Sequence, residues 1–223
     1  IFFFFFGKIS HRWLIQTVLF SLHDWNYFRY YGRVIELKKE GIHLKTQIIH
    51  DTPVEKYPEN YIKSIKLKQF MSHYDTTYEL HPYLTCIVGE NDIGKSVIGP
   101  AMKAVNYNDS SDSYIQHNTN EAQVIITTNL DEQILWQRFL NTTQDNPQKV
   151  KYSLYKKEQL ILSEYNAQSI PDFVEETLNI KLTEDLDIHI ANQKQPVFLL
   201  SSDTKPQERA KILSLGKESF FSY

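Results

Sequence analysis

The segment Leu84 to Val105, "LTCIVGENDIGKSVIGPAMKAV", constrains this chain more than any other stretch. Its centre, Gly89-Glu90-Asn91-Asp92-Ile93-Gly94-Lys95-Ser96, matches G-x-x-x-x-G-K-[ST] between an apolar run suited to a buried strand and a run with helical spacing. That context gives the motif meaning; the same letters without it would be a chance glycine turn. Gly89 and Gly94 permit backbone angles that turn consecutive N–H groups inward around phosphate oxygens, and the helix N-terminus that follows adds partial positive charge. Lys95 is suited to reach β- and γ-phosphates, and the Ser96 hydroxyl to ligate Mg²⁺. The motif therefore predicts binding of ATP with Mg²⁺.

Hydrolysis needs more than the loop: a carboxylate near the metal and a group that orients the attacking water. "VIITTNLDE" contains Asp131-Glu132, but two threonines and an asparagine interrupt the apolar run that should precede the acids. "TEDLDIHI" has its acids before the apolar residues. Both read as sheet and turn, so the expectation is a site that holds phosphates but lacks its water-activating acid.

The rest of the chain reads as strands around this loop. "YIKSIKLKQF" and "YDTTYEL" precede it, and "EAQVIITTNL", "EQILWQRFL", "KVKYSLYKK" and "EQLILSEY" follow as an antiparallel meander. Between them, "NYNDSSDSYIQHNTN" is expected to be a polar, mobile loop. Gly99 and Pro100 weaken the helix after the glycine loop and are tolerable only near its start. "SIPDFVEETLNI" predicts a short helix with Ser169 as N-cap and Pro171 at the first helical position. "LDIHIANQ" reads as a further buried strand, and "KPQERAKILSLGKESFFSY" begins a helix.

Composition excludes little. With 41% hydrophobic and 23% charged residues and a net charge of −3, the chain has globular composition and no global basic signature, so nucleic-acid contact would need a local patch. Lys63, Lys66 and Lys68 form a basic strand, which reads as a solvated sheet face before it reads as a DNA surface. The single cysteine, Cys86, excludes an intramolecular disulfide and fits a buried structural thiol in a reducing compartment. His73, a lone histidine in the turn before the second strand, reads as structural, and His189, in an expected buried strand, reads as core or interface and not as a metal ligand.

The opening residues, with Phe2 to Phe6, Phe20 and Phe28, do not look like the start of a domain. Lys8, His11, Arg12 and Gln16 interrupt any membrane span, and no small-residue cleavage site follows for a signal peptide. Lys39-Glu40-Gly41 can be back-translated as AAG GAG GGN, a ribosome-binding sequence, followed at suitable spacing by Leu44, for which TTG is one codon; the alternative is an ordered aromatic N-terminal helix. Residues 1–43 are thus expected to be a non-native leader or a disordered segment.

The run "YIKSIKLKQFMSHYDTTYELHPYLTCIVGENDIGKSVIGPAM" resembles the amino-terminal start of ATPase heads of the SMC and SbcC class: a strand ending in a Phe-x-Ser-His turn, a second strand, then the glycine loop. About a hundred residues on, "IHIANQKQPVFLLSSDTKPQERAKIL" resembles the Q-loop region of such heads, particularly phage and prophage SbcC-like forms. The resemblance implies an α/β fold: a P-loop NTPase, the amino-terminal lobe of an ABC-type ATPase head, with a mixed sheet and an antiparallel β meander. It implies an ATPase lobe over residues 44–216 and the start of a coiled-coil helix over residues 205–223. Gly89, Glu90, Asn91, Asp92, Ile93, Gly94, Lys95 and Ser96 would bind ATP, and Lys95 and Gln193 would be catalytic. Gln193 would join Ser96 at Mg²⁺ as the Q-loop glutamine; Gln195, placed at the strand's exit by Pro196, is the competing candidate. Partners implied are a second head in a homodimer, an SbcD-type nuclease and DNA, in the cytoplasm of a bacterium or phage-infected host, with no membrane. The second lobe, with its signature motif and Walker B acid, is not in this sequence, so the resemblance implies a truncated, ATP-binding part of an ATPase of DNA repair, recombination or phage DNA metabolism that does not turn ATP over by itself; the alternatives are a non-hydrolysing half-head with a binding or architectural role, or another P-loop ATPase of RecF or phage-defence type. Two residues depart from the family pattern: Met71 stands where many SbcC-like heads have a phosphate-holding Arg, and Asp92 where a small residue or Gly is usual. Both imply weaker nucleotide handling.

Overall fold

The computed structural model describes residues 2–9, 12–19, 33–37, 45–48, 59–82, 84–90, 92–142, 149–165, 169–180, 189–190, 205–207 and 210. Two sheets share the chain. The first has the order β2-β1-β7-β3-β4 and comprises β1 (Phe2–Ile9), β2 (Arg12–Leu19), β3 (Arg33–Leu37), β4 (Lys45–Ile48) and β7 (Leu84–Gly89). β7 pairs antiparallel with β1 and parallel with β3. β1 and β3, which come from the segment expected to be a leader or disordered, thus flank the strand that carries the glycine loop.

The second sheet has the order β11-β10-β9-β8-β5-β6, built from β5 (Ile62–Phe70), β6 (His73–Glu79), β8 (Glu121–Thr128), β9 (Glu132–Phe139), β10 (Val150–Lys156) and β11 (Gln159–Tyr165). Every pairing in it is antiparallel, as the meander reading expected. On β8, Ala122, Val124, Ile126 and Thr128 are buried, the period of two that puts one face of a strand on a core. On β5, Ile65 and Leu67 keep that period, whereas Ile62 is buried three residues before Ile65. A register shift against β8 between Ile62 and Ser64 accounts for the odd spacing, since a bulge moves the next side chain to the other face.

Helix α1 (Ile98–Tyr107) follows a 3-10 turn at Lys95–Val97. Pro100 is its third residue, inside the first turn, where the missing N–H has no intrahelical partner to lose. Ile98, Ala101, Met102 and Val105 of α1 share one apolar cluster with Ile87 of β7, Ile65 and Leu67 of β5 and Trp136 of β9. The Tyr152 hydroxyl of β10 lies 3.2 Å from the carbonyls of both Ala104 and Val105 and ties the meander to the end of α1.

Two expectations are corrected. The polar loop after α1 is fastened: the Met71 N–H donates to the Tyr114 carbonyl at 2.7 Å, the Gln116 N–H to Gln69 at 2.9 Å, and the Tyr114 ring stacks 5.1 Å from Phe70. Helix α2 (Asp172–Leu178) starts one position later than expected, because Pro171 is extended at ψ 141° and is itself the N-cap, so Ser169 does not cap it. Of the strand expected at "LDIHIANQ", His189 is a buried bend and Ile190 a single bridge; residues 186–188 and 191–193 lie outside the described residues. Among the described residues no helix is long and apolar enough to cross a membrane.

Candidate functional site

β7 delivers its chain end at Gly89 from a strand whose Thr85, Cys86 and Ile87 are buried. Burial pushes the Cys86 thiol up to about 12, so it is a packing residue with no thiolate at neutral pH. Beyond Gly89, Glu90 and Asp92 are exposed, and Ile93 packs against the apolar cluster and anchors the loop. Asn91 lies outside the described residues. Asp92 adopts φ 61°, a left-handed conformation that Gly takes without cost and Asp tolerates, which explains why a small residue suits this position. Its exposure also keeps the carboxylate in solvent.

Gly94 turns the chain into the helix at φ 93° and ψ 13°, and its carbonyl accepts the Val97 N–H at 3.2 Å. A Cβ at Gly94 would lie 2.6 Å from His73 Nε2 and 2.7 Å from Ser72 Oγ, so this glycine is required by close approach as well as by φ. Lys95 is only 6% exposed, and its ammonium donates to the Glu90 carbonyl, folding the side chain back over the loop. Burial lowers its pKa, against the opposing pull of the Asp92 and Glu90 carboxylates. Ser96 is exposed at the helix start.

Behind the loop stands the turn between β5 and β6. His73 is fully buried; its Nδ1 lies 3.1 Å from Thr76 Oγ1 and its Nε2 3.2 Å from the Gly94 carbonyl. The sequence reading took His73 as structural but missed what it supports. Its only signals there were Thr76 three residues on and Tyr78 five residues on, and neither points to Gly94.

The remaining sequence candidates divide cleanly. Asp131 lies in the β8–β9 turn and Glu132 opens β9, where it pairs with Lys156 of β10 at 2.9 Å. Lys66 pairs with Asp75 at 3.2 Å across β5 and β6, as a solvated sheet face would. Among the described residues no cluster of His, Cys, Asp and Glu could hold a metal ion. Gln193 and Gln195 lie outside the described residues.

A family model described as an AAA domain matches residues 64–220, which takes in the loop, the meander and both glutamines. The chain belongs to the AAA domain family. No curated protein matches it in sequence. A solved chain, from work described as structural biochemistry of ATP-driven dimerisation and DNA-stimulated activation of SMC ATPases, is similar at 18% identity and a TM-score of 0.42 over 69% of this chain and 98% of its own. In this AAA domain the mixed α/β arrangement, with the glycine loop between a strand and a helix and a separate antiparallel sheet, is that of a P-loop NTPase. Gly94, which admits no Cβ, and Lys95, whose ammonium is held against the loop backbone, form a cradle whose donors suit phosphate. The exposed Ser96 hydroxyl is a hard oxygen donor of the kind Mg²⁺ takes.

Proposed function

We propose that this AAA domain is the ATP-binding amino-terminal lobe of an SMC- or SbcC-like ATPase head that acts on DNA in repair, recombination or phage DNA metabolism. The observation that carries the reading is the glycine loop itself: a left-handed Gly94 against a buried wall, followed by Lys95 folded onto the loop and an exposed Ser96. In this reading the N–H groups of residues 89–96 bind the phosphates, and Lys95 exchanges its bond to the Glu90 carbonyl for one to phosphate. Ser96 holds Mg²⁺, which neutralises phosphate charge when bound. Gln193 is the proposed Q-loop glutamine, residues 44–216 the lobe, and residues 205–223 the start of a coiled coil.

Asp131 and Glu132 sit at the β8–β9 hairpin, Glu132 in a pair with Lys156, so turnover is proposed to need a second lobe and a second head, with DNA and an SbcD-type nuclease as further partners. Titration calorimetry with Mg-ATP tests the binding step. A charge-assisted bond to phosphate is worth enough that Lys95→Ala should weaken binding by about 10- to 100-fold. Equal affinity of wild type and Lys95→Ala would sink the reading. Sustained ATP turnover by this chain alone, lost in Lys95→Ala, would instead remove the requirement for a second lobe.

A further inference from the structure

The wall behind Gly94 is built from buried polar side chains. Three polar groups converge there inside the fold: the His73 imidazole, the Thr76 hydroxyl at 3.1 Å from Nδ1, and the Tyr78 hydroxyl at 3.4 Å from Nε2. The Gly94 carbonyl can only accept, so the tautomer that bonds it carries its proton on Nε2 and accepts from Thr76 at Nδ1, with the Tyr78 hydroxyl as a second acceptor beside Nε2. Burial lowers the pKa of His73, which favours this neutral form.

The consequence passes through one peptide plane. The Gly94 carbonyl and the Lys95 N–H belong to the same rigid trans peptide and point in opposite directions. Fastening the carbonyl to His73 therefore aims the Lys95 N–H away from the wall, toward the concave side of the loop. Val97 shares the same carbonyl from the helix side, so two donors on separate elements hold it.

We propose that His73 is a positioning residue for the phosphate-binding loop: its Nε2–H holds the Gly94 carbonyl and thereby presents the Lys95 amide to an anion. Thr76 sets the tautomer that makes this possible. The proposal rests on the nucleotide reading above for its ligand, but the strut itself is testable without one.

Hydrogen–deuterium exchange of the nucleotide-free protein reads the strut directly. In His73→Phe, which keeps a buried ring and loses the donor, peptides covering residues 89–97 should exchange about tenfold faster, while β8 and β9 peptides keep their rates. His73→Gln, whose side-chain amide can donate from a similar position, should restore slow exchange. Mg-ATP affinity should follow the same order, with a loss of about three- to tenfold in His73→Phe and recovery in His73→Gln. Should His73→Phe fail to fold, Thr76→Val carries the same expectations at about threefold, because it leaves the histidine in place without its tautomer-fixing donor. Unchanged exchange at residues 89–97 in the folded variants overturns the proposal whatever ATP does. Slowed or lost ATP binding with unchanged exchange overturns it equally, while faster exchange in a protein whose wild type ignores ATP leaves the strut standing and removes the nucleotide reading.

Discussion

Gly94 carries the strictest requirement of any residue in the loop. At φ 93° an L side chain costs about 1 to 3 kcal/mol in backbone strain alone, and its Cβ would also clash with the buried His73 ring, whose Nε2 it would meet at 2.6 Å. Gly94→Ala is therefore expected to lower the melting temperature by about 5 to 15 °C and to abolish Mg-ATP binding; an unchanged melting curve would show that the turn relaxes freely. Asp92 offers the opposite test. It is left-handed, exposed and one of two carboxylates acting on Lys95, so Asp92→Gly removes repulsion toward phosphate at a position Gly accepts. Because the group is solvated, calorimetry should show a gain in ATP affinity of no more than about fivefold, and a loss would mean that Asp92 contacts something other than solvent. His73 adds a pH dependence. Burial holds it neutral in the fold, so below about pH 6.5 the unfolded chain takes up a proton that the folded one refuses. Stability is complete above that pH and falls progressively as the pH drops through the depressed folded value. Tyr78, pushed up by burial, stays neutral throughout. Thermal melts should lose stability on acidification more steeply in wild type than in His73→Gln, and equal slopes would remove His73 from the effect. The loop was legible in the sequence because its chemistry is carried by consecutive letters. The His73–Gly94 bond was not, because it joins residues 21 apart that no periodicity relates.

Among the elements, strands with a single buried face were the easiest to read: β8 alternates without a break, and α1 keeps helical spacing through Gly99 and Pro100. β11 shows where the argument fails. Its Leu160, Ile161 and Leu162 are 56%, 52% and 45% exposed, although an apolar run in a meander suggests burial. The strand forms the sheet edge, and edge position is a property of topology that its own residues do not encode. The loop over residues 109–116 was misread for a related reason: its fastenings are backbone bonds to β5 and the packing of Tyr114, which polar composition hides. The join between α1 and the meander gives a measurable case. Tyr152→Phe removes the hydroxyl shared by the Ala104 and Val105 carbonyls and should cost about 1 kcal/mol, seen as a melting shift of about 2 to 4 °C. A cost near zero would assign the contact to packing of the ring, whose area the variant keeps.

At the scale of the molecule, β7 carries the glycine loop and also sits in the middle of the first sheet. Both of its neighbours come from the first 43 residues: β1 meets it through Phe4 to Gly7 and β3 through Arg33 to Leu37. Composition suggested a leader there because runs of phenylalanine are unusual at a domain's start, yet aromatic residues also favour extended backbone, and letters alone do not separate the two. The structural consequence does. A chain beginning at residue 44 leaves both edges of β7 unpaired next to the phosphate-binding turn, and the lost ladders are worth on the order of 5 kcal/mol. Differential scanning calorimetry of residues 44–223 against the full chain should then show a melting temperature lower by about 10 to 20 °C, with Mg-ATP affinity falling alongside because Gly89 loses its anchored strand. If the shorter chain instead melts and binds like the longer one, β1 and β3 do not hold β7, and residues 1–43 behave as a leader would.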